Sequence, residues 1–180
     1  MLLTNHVLSG ALIGGAVRRP VPAFLVGVAS HFALDAIPHW GDWRDRHQFL
    51  QVAVLDGLTG LAVMTAFAAT APPSRRVTLT AAMLGAALPD LDKPTLLWFG
   101  VSPFPAVVGR FHSGIQDEAL DRYGREAFCA ALFAASALLM LRSTTSRRAG
   151  SNLPSYDGAH IRPAVSAFIA RVTARRSLPA

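Results

Sequence analysis

Apolar residues in this chain fall into blocks at about 2–17, 21–39, 50–71, 77–101 and 126–141, separated by short polar patches. Each block approaches the ~20 residues that a helix needs to cross a ~30 Å hydrocarbon core. The pattern therefore predicts an all-α fold, an integral membrane helical bundle of about five helices. The first block carries Gly10, Gly14 and Gly15, small residues at a spacing that lets helix backbones approach closely in lipid. The fourth is interrupted, because VTLTAAMLGAAL runs into PDLDKP before resuming as TLLWFGV. Two prolines bracketing two aspartates break a helix, and irregular backbone at membrane depth is tolerated only where protein or a polar cavity satisfies it. A buried polar site is expected at that break.

Composition agrees with the pattern. Of 180 residues 52% are hydrophobic and 16% charged, with mean hydropathy +0.36, which is too apolar for an ordinary soluble domain. The single cysteine, Cys129, cannot form an intrachain disulfide. Arg18 and Arg19 follow the first apolar block and no basic residue precedes it, the reverse of a secretory signal, so the block is expected to be retained. Residues 1–142 read as the membrane-embedded domain and 143–158, rich in Ser, Gly and Pro, as a flexible linker. In 159–180, Ile161, Val165, Phe168, Ile169 and Val172 form one helical stripe, with Arg171, Arg175 and Arg176 beside it. This basic amphipathic tail either lies on an anionic leaflet or stays unstructured.

Basic residues concentrate in alternate connections, at Arg18 and Arg19, Arg75 and Arg76, and Arg142, Arg147 and Arg148. The positive-inside rule makes these connections cytoplasmic and puts the amino terminus outside and the C-terminus in the cytoplasm. A bacterial inner membrane is the expected setting. The net charge of +6 then reflects topology, and with no DNA-binding motif present nucleic-acid binding is not expected.

That topology assigns a depth to each unusual polar residue. His6 begins the first helix, His31, Asp35 and His39 lie toward the outer end of the second, Asp56 falls early in the third, Asp90 and Asp92 late in the fourth, and His112 in the loop that follows. All gather near the non-cytoplasmic face. His31 and Asp35, at i and i+4, share one helical face. Pro38 disfavours helix at Ile37, which puts His39 just past the helix end. Imidazole nitrogens and carboxylate oxygens suit Zn²⁺, Mn²⁺ or Fe, and ionisable groups inside a membrane are costly unless paired or coordinated. Plainer readings stand beside this one. His31 and Asp35 can form a structural hydrogen bond, Asp90 and Asp92 can cap a helix beside proline, Asp56 can tie two helices together, and His6 can be solvated.

TNHVLSG, HFALDAIPH, GAALPDLDKP and FHSGIQ, in that order over about residues 4–116, resemble the membrane-bound metal-dependent hydrolase family, the YdjM-like group. The resemblance implies metal binding by His6, His31, Asp35, His39, Asp90, Asp92 and His112; Asp56 joins them on depth alone. Phe111 stands where that family would carry threonine before its His-Ser pair, and Arg110 is a candidate contact for a substrate anion, or an interfacial charge. Gln116, four residues after His112, can share its helical face or be solvated. HFALDAIPH is also similar, over about nine residues, to a helix of zinc-dependent phospholipase C and related single-strand nucleases. Together these imply two or more divalent cations, zinc foremost, that activate water to cleave a phosphoester or phosphodiester. A site at the outer interface would meet a lipid headgroup or lipid-linked phosphate. G-x-S-x-G, P-loop and H-E-x-x-H motifs are missing, which argues against serine hydrolase, nucleotide and zincin chemistry. A membrane cation or proton transporter and a non-catalytic scaffold are the alternatives; a transporter needs access from both faces, and the inner helix halves carry few candidate ligands.

Overall fold

The computed structural model describes residues 1–41 and 45–151. The expected tail at 159–180 and the end of the linker lie outside the described residues. The chain is mostly helical: α1 spans Leu3–Ala16, α2 Pro20–Asp35, α3 Arg46–Thr70, α4 Pro73–Ala87, α5 Asp92–Phe99, α6 Ala106–Ile115 and α7 Tyr123–Ser151. Strands β1 (His39–Trp40) and β2 (Glu118–Ala119) make one short parallel pair.

Local chemistry explains most of the helix ends. Pro20 and Pro73 open α2 and α4, where a missing N–H costs nothing because the first-turn donors have no helical partner. Asp45 caps α3 by accepting from the His47 N–H at 2.9 Å. α2 stops at Asp35 rather than 39: Ala36 caps it, Ile37 N–H closes the last turn on the Leu34 carbonyl at 3.1 Å, and Pro38 keeps Ile37 from continuing the helix. Gly100, at φ 72°, closes α5 in the left-handed conformation that residues with a Cβ adopt at a cost.

The interruption at PDLDKP is a 3₁₀ turn, Leu88–Leu91, between α4 and α5. Pro89 has no N–H to return to the carbonyls one turn earlier, so the tighter turn replaces regular helix there. Two features depart from the sequence expectation. The connection 102–125 contains α6, which carries His112, and α7 continues to Ser151 through the first part of the stretch expected as linker.

α4 is the central element, with α1 and α2 packed against it and α3 against α1. Close approach rests on missing side chains. A Cβ on Gly10 would stand 2.6 Å from Met83 Cα, and one on Gly14 2.6 Å from Leu79 Cα. Gly27 of α2 and Gly85 of α4 meet backbone of the other helix, at the Ala82 and Phe24 carbonyls, closer than any Cβ allows. Val7, Leu8, Ala11, Phe67, Leu79 and Met83 form the main apolar core with Ala71 and Ala137.

Two helical segments among the described residues, Arg46–Thr70 and Leu120–Met140, are long and apolar enough to cross a membrane. At 14, 16 and 15 residues, α1, α2 and α4 each fall short of the ~20 that a separate crossing needs. In both long segments only 11% of the apolar window is buried. Leu55, Leu58, Leu61, Phe128 and Leu139 point away from the protein. A helix that is apolar and exposed is the opposite of the core helix of a soluble domain.

Candidate metal centre

The start of α1, the end of α2, the 3₁₀ turn after α4 and α6 converge on a group of buried histidines and aspartates. His31 and Asp35 share a face of α2, where their one-turn spacing puts Nε2 3.2 Å from Asp35 Oδ2. His112, on α6, brings its Nε2 to 2.8 Å from the same oxygen and 3.0 Å from His31 Nε2. Asp90, in the 3₁₀ turn, places Oδ1 3.8 Å from both imidazole nitrogens. One ligand atom from each of His31, Asp35, Asp90 and His112 lies within 4.8 Å of the other three, and all four residues are buried.

His31 shows why this cluster could hold a cation. Its Nδ1 lies 2.8 Å from the Ala86 carbonyl, which can only accept, so Nδ1 carries the proton. In its neutral form the ring, protonated at Nδ1, would present its Nε2 lone pair to the cluster, an orientation fixed from behind as in metal-ligating histidines. Pro89 contributes by withholding the N–H that a 3₁₀ turn would return to Ala86. Four ligands at ~2.1 Å from one ion stand roughly 3.4 Å apart in a tetrahedron. The histidine–carboxylate spacings, 2.8 to 3.8 Å, fall on both sides of that value, and the full set spreads to no more than 4.8 Å. The donor set, two imidazole nitrogens and two carboxylates, suits zinc and its first-row neighbours.

His6 completes the wall, being fully buried and stacked on His31 with ring centroids 3.9 Å apart. Its Nε2 stands 3.1 Å from Asp35 Oδ1 without hydrogen-bond geometry, and its Nδ1 has no partner among the described residues. An imidazole buried with both nitrogens unmet is costly unless something else engages it.

Of the remaining sequence candidates, His39 and Asp56 have partners outside the cluster, which corrects the expectation that they join it as metal ligands. His39 leaves the α2 face entirely. Its Nδ1 donates to the Ile37 carbonyl at 2.8 Å, and its Nε2 lies 3.4 Å from Glu118 Oε1, across the β1–β2 pair. Asp56 is a helix cap in trans, accepting from the backbone N–H groups of Leu3 at 2.6 Å and Thr4 at 3.1 Å and from Thr4 Oγ1 at 2.6 Å. Its carboxylate answers the first-turn donors of α1, so helix tying is the reading its contacts support. Asp92 opens α5, and its buried Oδ1 has no hydrogen-bond partner among the described residues. Arg110 stands exposed on α6, two residues before His112.

Several groups at the centre were not singled out from sequence. Lys93 Nζ pairs at 2.8 Å with Asp90 Oδ1, the oxygen that faces the two imidazoles, while its side chain stays 39% exposed at the edge of the cluster. Their i, i+3 spacing in PDLDK is the signal that could have found the pair. Gln116, weighed from sequence as a neighbour of His112 or a solvated residue, lies just past the end of α6 and its Nε2 donates at 3.2 Å to Asp35 Oδ2, the oxygen His112 also meets. The Met1 amino group lies 2.8 Å from Asp35 Oδ1.

No family model, curated protein or solved structure matches the chain.

Proposed function

We propose that the protein is a membrane-embedded, metal-dependent hydrolase that cleaves a phosphoester or phosphodiester in a lipid headgroup or lipid-linked phosphate. One observation carries this reading: two histidines and two aspartates from three separate elements converge, buried, with His31 Nε2 turned to their common centre. Buried ionisable groups in an apolar chain are functional sites by default. The same residues underlie the likeness to the YdjM-like hydrolases.

In this reading His31, Asp35, Asp90 and His112 would hold a divalent cation, zinc foremost, with Mn or Fe as substitutes, and His6, whose ring nitrogens have no hydrogen-bond partner among the described residues, is the nearest further donor. A bound cation supplies Lewis acidity, making water a nucleophile near neutral pH and neutralising charge on phosphoryl oxygens. The protein's own groups do the rest. Ala86 fixes the His31 tautomer and Gln116 orients Asp35. Lys93, partly exposed beside Asp90, and Arg110, exposed on α6, offer positive charge to a substrate anion. Burial of the ligands keeps bulk water from competing.

The exposed apolar faces of α3 and α7 support integration into a bilayer, with α1, α2 and α4 packed as shorter helices beside the two long ones. In a bacterial inner membrane, the setting this reading takes, the charge pattern of the connections favours a metal centre toward the non-cytoplasmic face and a cytoplasmic C-terminus. The test is turnover of phosphodiester and phospholipid substrates by detergent-purified protein, with and without chelator. Chelation, His31→Ala and Asp35→Asn should each abolish activity in folded protein. Full activity in all three would overturn the reading, and vectorial cation movement without hydrolysis would favour a transporter.

A further inference from the structure

A second polar site lies on the other side of the first turn of α1. Met1 and His6 face the metal centre, whereas Leu2, Thr4 and Asn5 line a pocket of about 370 Å³ between α1, α3 and α7, with Asp56, Glu126, Trp40 and Tyr123 on its walls. Glu126 is 2% exposed and Asn5 1%. The Glu126 carboxylate accepts from the N–H groups of Leu2 at 3.3 Å and Trp40 at 3.4 Å, and from Asn5 Nδ2. Among the described residues Asp56 likewise meets only neutral donors, on Leu3 and Thr4. The pocket thus holds two carboxylates, and no ion pair to either occurs among the described residues.

An independent observation says what the pocket lacks. Asn5 Nδ2 donates to both the Glu126 carboxylate and the Glu126 backbone carbonyl, at 3.2 Å for the latter, which fixes the orientation of the amide. Among the described residues Asn5 Oδ1 is left buried with no donor. A buried acceptor without a donor costs about 1–3 kcal/mol, so this oxygen calls for an N–H or O–H from a ligand. Trp40 and Tyr123 meet edge to face, ring centroids 5.0 Å apart and planes at 76°, and form an aromatic wall of the kind that attracts cations.

Taken together, the geometry points to a binding pocket for a primary ammonium group, such as the ethanolamine of a phospholipid headgroup, beside the metal centre. Two carboxylates supply the countercharge, the aromatic pair a cation-binding face and Asn5 Oδ1 an acceptor. A quaternary ammonium satisfies the first two and leaves Asn5 unmet, because it has no N–H to give. As a substrate subsite the pocket rests on the hydrolase reading; as an ammonium site it does not.

The test uses full-length protein in detergent after chelation, titrated by calorimetry with ethanolamine, glycerophosphoethanolamine and glycerophosphocholine, and in phosphatidylglycerol nanodiscs with or without phosphatidylethanolamine. Glycerophosphoethanolamine should bind roughly tenfold tighter than its choline counterpart, about 1.4 kcal/mol. Glu126→Gln should erase that preference. Tyr123→Ala, at an exposed wall position with no buried hydrogen bond to lose, should weaken binding several-fold in protein of unchanged stability. Equal binding of the ethanolamine and choline forms, or a preference untouched by both variants, overturns the inference. Free ethanolamine binding as well as the headgroup marks a soluble amine as the source, and a response confined to the phosphatidylethanolamine nanodiscs marks the lipid; either upholds the ammonium site. Ammonium preference without hydrolysis rejects the hydrolase alone, and metal-dependent hydrolysis without ammonium preference rejects the pocket alone.

Discussion

Replacing Asp56 by alanine separates a helix cap from a metal ligand. Its carboxylate takes the Leu3 and Thr4 N–H groups and the Thr4 hydroxyl, so Asp56→Ala strips α1 of two first-turn partners and a cross-helix tie to α3 at once. Loss of a helix cap costs about 1 kcal/mol, and each hydrogen bond to a charged acceptor about 1.5–3 kcal/mol. The three contacts do not add, because Asp56 is only half-buried and water can reach the freed donors. A net loss of about 2–3 kcal/mol follows, read as a lower midpoint of denaturant unfolding in detergent. Asp56→Asn keeps an acceptor and should recover about half of it. Metal content, measured by mass spectrometry on the folded fraction, should stay at the wild-type value in both variants. Metal lost from Asp56→Ala at an unchanged unfolding midpoint would refute the capping assignment and restore Asp56 as a ligand.

Other outcomes follow from the same geometry. Gly27→Ala forces a Cβ against the Ala82 carbonyl and should cost about 2–3 kcal/mol or prevent folding, whereas Gly57→Ala, with nothing within 4 Å of the new atom, should be neutral or stabilising by about 0.5–1 kcal/mol in the same unfolding assay. Gln116→Ala removes the donor that orients Asp35 and should weaken zinc binding roughly tenfold in a competition titration while leaving the fold intact. Chelation should lower the thermal midpoint of wild-type protein, and excess zinc should restore it, because a ligand that binds only the folded state stabilises by mass action. An identical midpoint in chelator and in zinc would contradict the last of these.

Local chemistry was legible in the sequence, and partners distant along the chain were not. The first apolar block, 2–17, became α1 at Leu3–Ala16 almost unchanged, because periodicity and Gly spacing are local signals. The i, i+4 pair His31 and Asp35 and the break at PDLD were equally local, and both stand at the centre. His39 was misplaced for a physical reason. Pro38 signals only that the helix ends, and the direction taken afterwards is set by pairing with Glu118, which is far away in sequence. Asp56 was likewise assigned by depth, although its partners on α1 could be known only from packing. The Asn5–Glu126 contact leaves no periodic trace because it joins helices 121 positions apart. Helix α6 was missed inside a mixed polar stretch, yet Val107, Phe111 and His112 have the spacing of a short helix with distinct faces.

The central claim is that His31, Asp35, Asp90 and His112 hold a divalent cation, and metal analysis of the purified, folded protein tests it most directly. The account predicts a stoichiometric transition metal, zinc foremost, in the wild-type protein and its loss in His31→Ala and His112→Ala variants that still insert and fold. Folded wild-type protein that contains no metal and takes up none of zinc, manganese or iron would contradict it.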